Sequence, residues 1–205
     1  MNAGQPCWID ITVTQAADRE RLVDFLCDVF DWTFEVTGPD TGFYTMLRRD
    51  RADVAAVGQQ EHGAGRWVTD LSTDDIVGTA IRVRDAGGDL VREPMTVMRA
   101  GTMALASDPT DAVFALEQQA EGSDITMRRD GRGYFSLGRN GDGRPADLRP
   151  VILVEDLTVV EERVRSAGGT IYASRVPIPG GFAATFAAPV VGAPLIASVN
   201  AEGIT

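Results

Sequence analysis

The sequence predicts an α+β protein assembled from repeated modules, each built of one strand, one helix and three strands. Three observations carry that expectation. Shifting the chain by 81 residues aligns Val68 to Gln118 with Arg149 to Val199 without a gap, and self-similarity at a fixed period marks a repeated structural unit. Both copies contain an amphipathic stretch that runs into a pair of glycines, Gly87-Gly88 and Gly168-Gly169, where a helix can end in the left-handed conformation that glycine adopts without steric cost. The first sixty residues pass through the same succession of periods.

The first module opens with Ile9, Ile11 and Val13 alternating with Trp8, Asp10 and Thr12, the two-residue period of a strand with one buried face. Leu22, Phe25, Leu26, Val29 and Phe30 then form one apolar stripe, which predicts a helix from about Ala16 to Asp31. Three short strands follow at Trp32 to Val36, Gly42 to Leu47 and Asp53 to Val57, and a loop through Glu61 to Gly65 leads onward. In the second module the helix spans Ile76 to Arg84 with Asp75 placed as its N-cap, and the last strand is Ala112 to Gln118. In the third, the helix spans Leu157 to Arg165 behind Asp156. Between them Glu121 to Pro150 is rich in Gly, Arg and Asp, with one apolar patch at Tyr134 to Leu137, and reads as a linker holding a hairpin. The expected organisation is a domain over residues 1–120 (modules 6–60 and 66–118), a linker over 121–148 and a third module, half a domain, over 149–205.

Composition narrows the function classes. A 205-residue chain with 44% hydrophobic content can bury a sizeable core. The formal charge of -11, spread along the chain, argues against nucleic acid as a partner. No apolar run approaches the roughly 18 residues of a spanning helix, and Met1 to Pro6 has neither a basic region nor an apolar stretch, so the expectation is a soluble cytoplasmic protein that binds no membrane. Cys7 and Cys27 lack zinc-site spacing and read as buried thiols.

Several segments together resemble the vicinal oxygen chelate superfamily of glyoxalases, bleomycin-resistance proteins and extradiol dioxygenases, in particular its tandem glyoxalase-like members common in actinobacteria. These are Pro6-Cys7-Trp8-Ile9-Asp10-Ile11, the helix end Phe30-Asp31-Trp32, Ala86-Gly87-Gly88, and Ser107-Asp108-Pro109-Thr110-Asp111-Ala112-Val113-Phe114. The resemblance implies that the first two modules form an open eight-stranded barrel-like cup that holds a ligand, with the third module in addition. It also implies metal positions on the first and last strands of each module. Here they fall on Trp8, Val68, the vicinity of Gly58, and Glu117, of which only Glu117 can ligate. One carboxylate does not hold a divalent ion, so no metal and no other cofactor is expected; a divalent metal is the alternative.

Strand alternation turns Asp10 into that cup, Asp70 occupies the matching place in the second module, and Glu117 comes from its last strand. These three carboxylates are the candidate catalytic residues, and crowding them raises at least one pKa unless a cation compensates. The bland reading pairs Asp10 or Asp70 with Arg66 or Arg48. Trp8 and Tyr44 are the candidate ligand-binding aromatics, with His62 as a loop contact or an ordinary exposed histidine; Trp32 and Trp67 read as helix-to-sheet packing. The preferred function is metal-independent binding of an amine-bearing or aromatic natural product, a bleomycin-resistance-like sequestration that would serve antibiotic resistance. The alternative is a lyase, isomerase or epimerase with a cavity carboxylate as general base, and the third a metal-dependent glyoxalase or dioxygenase. The third module's apolar strands, including Phe182, Phe186 and Leu195, need cover, expected from linker strands near Tyr134 or from a second chain in a homodimer.

Overall fold

A computed structural model describes residues 3–50, 52–59, 65–97, 101–120 and 150–200. The elements follow the repeat: β1 (Pro6–Val13), α1 (Ala16–Phe30), β2 (Thr33–Val36), β3 (Thr45–Arg49) and β4 (Ala52–Gln59); then β5 (Trp67–Ser72), α2 (Ile76–Asp85), β6 (Asp89–Val97), β7 (Gly101–Ser107) and β8 (Val113–Gln119); then β9 (Val151–Leu153), α3 (Leu157–Ser166), β10 (Thr170–Ile178), β11 (Gly181–Ala188) and β12 (Val191–Asn200). The architecture is α+β, and the three modules share one wiring. In each, the first strand pairs in parallel with the last: β1 with β4, β5 with β8 and β9 with β12. The two middle strands continue antiparallel outward from the last.

The helix boundaries follow from their caps. Asp75 accepts a hydrogen bond from the Gly78 N–H at 2.9 Å, and Asp156 one from the Thr158 N–H at 2.7 Å, each satisfying an end donor that the helix cannot. Gly87 and Gly168, at φ 85° and 77°, take the left-handed conformation anticipated for them. The glycine after each has a different task. A Cβ on Gly88 would lie 2.4 Å from the Ser107 carbonyl oxygen, and one on Gly169 2.9 Å from that of Ala187, so the chain leaving the helix passes directly against a strand. One boundary differs from the sequence reading. The strand expected from Gly42 begins only at Thr45, because a 3-10 turn over Pro39–Thr41 is followed by Gly42 and Phe43 at φ 64° and 57°, outside the strand region.

The chain forms two compact units that divide within β1. The first holds residues up to Ile9 together with β8, β7, β6, α2 and β5 from Val68. Gly4 donates to the Ser72 carbonyl at 2.7 Å and Ser72 N–H to that of Gln5 at 2.9 Å. Its core is Ile76, Ala104 and Leu116, with Leu71, Val83 and Phe114 packed around them.

The second unit holds the rest of β1, α1 to β4, and the whole third module. Here α1 packs on β4 with one side and meets α3 and β11 with another. Leu22, Phe25, Leu26 and Val29 are all buried to 3% exposure or less, and the Phe30 and Phe186 rings stand 6.1 Å apart. The cover sought for the third module's Phe186 and Leu195, exposed by 0% and 2%, is therefore supplied by α1 of the same chain. Tyr134, the linker residue expected to pair with it, lies outside the described residues. Among those described, no helix is long and apolar enough to cross a membrane.

Candidate functional site

In the first unit, β5 and β8 run in parallel with Asp70 opposite Ala115 and Ser72 opposite Glu117. Leu71 and Leu116 enter the core beneath α2. Alternation then sends Asp70 and Glu117 to the sheet's other face. Cys7, at the start of β1, is buried, and its thiol donates toward Glu117 Oε2 at 3.4 Å while lying 3.4 Å from the Asp70 carbonyl oxygen. A thiol has one weak donor, and no other polar group among the described residues contacts the Glu117 carboxyl. Burial pushes the Glu117 pKa up from the ordinary carboxylate value, and the hydrogen bond from Cys7 opposes only part of that. Asp70 itself is 5% exposed. Trp8 is 7% exposed, which leaves little of its ring available to a ligand.

In the second unit the Tyr44 hydroxyl donates to Asp10 Oδ2 at 2.9 Å. The ring reaches Asp10 by lying across β4 at Gly58, where a Cβ would stand 3.3 Å from Tyr44 Cδ2 and 3.1 Å from Thr12 Cγ2. Gly58 thus makes room for an aromatic ring at the place where the resemblance would put a metal ligand. Arg48, considered as a partner for Asp10 or Asp70, instead bonds Asp53 at 2.8 Å and pairs with Glu35. Trp32 and Trp67 are each 7% exposed, in keeping with packing roles. His62 lies outside the described residues.

Cys7 is the participant that sequence reasoning passed over as an ordinary buried thiol. Its contact with Glu117 spans 110 positions, and the one local signal, its place just before Trp8 on an alternating strand, does not reveal which strand it faces. Among the described residues, the donor set does not fit a divalent metal. Glu117 and Cys7 offer one carboxylate and one thiol where about four donors are wanted, and among the described residues no three His, Cys, Asp or Glu side chains stand close enough to hold an ion.

No family model matches the sequence. The chain is 31% identical over 169 residues to the anthracycline biosynthesis protein DnrV of Streptomyces peucetius, covering 73% of this chain and 60% of that protein. It is 32% identical over 153 residues to the anthracycline biosynthesis protein DauV of Streptomyces sp. strain C5, covering 65% and 54%. The chain thus spans little more than half the length of these curated relatives. Among solved structures, the Mn(II)-bound glyoxalase from Novosphingobium aromaticivorans superposes with a TM-score of 0.61 at 15% identity, over 96% of this chain and 82% of that one. Catechol 2,3-dioxygenase superposes with 0.63 at 12% identity, over 98% and 89%. At such identities the likeness is one of fold. With three βαβββ modules of one wiring, the chain shares the fold of these glyoxalase and extradiol dioxygenase structures.

Proposed function

We propose that this protein binds an amine-bearing aromatic natural product without a metal, and that Glu117 is the counter-charge for the amine. The observation that carries the reading is Glu117 itself, a half-buried carboxyl whose only polar partner among the described residues is a thiol. Burial without a cation makes its ionised form costly, and a protonated amine placed there would relieve that cost in a medium of lower effective dielectric than water. Relatives named for anthracycline biosynthesis support an aromatic natural product as the ligand class. Asp70 lies on the same sheet face. Tyr44 and Asp10 are candidate ligand contacts of the second unit, and Trp8 and His62 are lesser candidates. On this reading the protein works in the cytoplasm as a homodimer that sequesters its ligand, a resistance function.

A second reading is favoured by the raised proton affinity of Glu117. A carboxylate tuned upward suits a general base acting on an acidic C–H bond, as in a lyase, isomerase or epimerase.

Calorimetric titration with an amine-bearing anthracycline, and with its amine-free aglycone, tests the proposal. The amine form should bind at least tenfold more tightly than the aglycone, and Glu117→Gln should abolish that preference. Equal binding of both forms refutes the proposal. Chromatography of the recovered ligand separates the two readings: an unchanged compound supports sequestration, and conversion that Glu117→Gln stops while binding persists supports the enzyme. A double-variant cycle of Asp10→Asn with Glu117→Gln then reads whether both carboxylates serve one ligand.

A further inference from the structure

The second unit contains a cleft of about 260 Å³ with no part in the reading above. It opens beside the end of α1, where Asp31 at φ 60° turns the chain back sharply and stacks Trp32 on Phe30, ring centroids 4.7 Å apart at 24°. These rings and Val54 from the first module meet Ile152, Val159 and Arg163 of the third across it. Its size lies just below the roughly 300–1,000 Å³ typical of drug-sized ligand pockets, which suits one or two fused rings.

The charges around the cleft are sorted by depth. The carboxylates stand outside: Glu155 is 79% exposed, Asp31 and Asp156 are exposed, and Asp156 is already engaged in capping Thr158. The guanidiniums lie deeper. Arg49 is 26% exposed and reaches Glu155 at 3.5 Å, while Arg163 is half-buried and, among the described residues, makes one hydrogen bond, to the Val29 carbonyl oxygen at 3.5 Å. An arginine carries five donors in a planar fork that matches a carboxylate and stacks on aromatic rings. Most of that capacity is unused here, beside an apolar wall and within a protein of net charge -11.

We infer that this cleft is a binding site for a small aromatic anion, an aromatic carboxylate of one or two rings, held by Arg49 and Arg163 beside the cleft's apolar side chains. The site is independent of Glu117 and selects the opposite charge. The test is calorimetric titration of the full chain with 2-naphthoate, with 2-naphthamide and 2-naphthylmethylamine as neutral and cationic counterparts. Naphthoate should bind with submillimolar affinity and at least tenfold more tightly than either counterpart. Arg49→Gln should weaken it at least fivefold, and Val159→Trp, which fills the cleft from an exposed position, should abolish it while circular dichroism stays unchanged. Glu117→Gln should leave naphthoate binding intact, which separates this site from the proposed amine site. Equal binding of the three probes, or naphthoate binding that survives Val159→Trp, overturns the inference.

Discussion

Replacing Gly169 by alanine probes the packing of the third module on α1. A methyl group there would stand 2.7 Å from Phe25 Cε2 and 2.9 Å from both Phe25 Cζ and the Ala187 carbonyl oxygen. The ring belongs to α1, is 3% exposed and lines a small cavity of about 10 Å³ with Leu22, Leu26 and Leu195; the carbonyl is backbone. Overpacking of this kind costs about 1–3 kcal/mol. Urea denaturation measures it. Gly192→Ala is the control, since nothing lies within 4 Å of its added methyl and the substitution should be neutral or stabilising by about 0.4–1 kcal/mol. Phe25→Ala removes the side-chain part of the clash at its own cost of about 3–5 kcal/mol. The double variant should therefore be more stable than the sum of the two losses by about 1 kcal/mol or more. Strict additivity, or a neutral Gly169→Ala, would show that α1 and the third module do not pack as described.

Three further outcomes follow from the sites. With its pKa raised in the folded state, Glu117 binds protons more tightly folded than unfolded, so wild-type stability falls as pH rises from the ordinary carboxylate value through the raised one. Glu117→Gln should thus gain stability at neutral pH relative to wild type, with the gain fading below about pH 4, as read by denaturation across pH. Tyr44→Phe removes the 2.9 Å bond to Asp10 and should cost about 1.5–3 kcal/mol, as hydrogen bonds to charged groups do. Cys27, with its pKa pushed up to about 11 by burial and then by Asp24 and Asp28, should react slowly with iodoacetamide at pH 8 and faster as pH rises toward that value.

Much of the fold is written locally. The caps Asp75 and Asp156, the left-handed Gly87 and Gly168, and the α1 stripe each act within a few residues of themselves, and a gapless repeat lets one copy check the other. Long-range partners are not written that way. Gly88 and Gly169 look like ordinary helix ends until the Ser107 and Ala187 carbonyls are seen against them, and nothing near Gly169 names Phe25. The late start of β3 depends on Phe43 adopting a positive φ, which its side chain does not announce. Glu117 stands out because the resemblance puts a ligand position there, whereas Cys7 acquires meaning only from a strand more than a hundred residues away. The cover over Phe186 was sought in the linker or a second chain because periodicity shows which face is apolar and not what lies on it.

Proton linkage tests the role assigned to Glu117 most directly. Calorimetry of an amine-bearing anthracycline at pH 5–6, in buffers of differing ionisation enthalpy, counts the protons released on binding. An amine that needs Glu117 ionised must displace the proton that burial helps it keep, so binding should release a fraction of a proton that disappears in Glu117→Gln. Binding without proton release, or with the same release in the variant, would contradict the account.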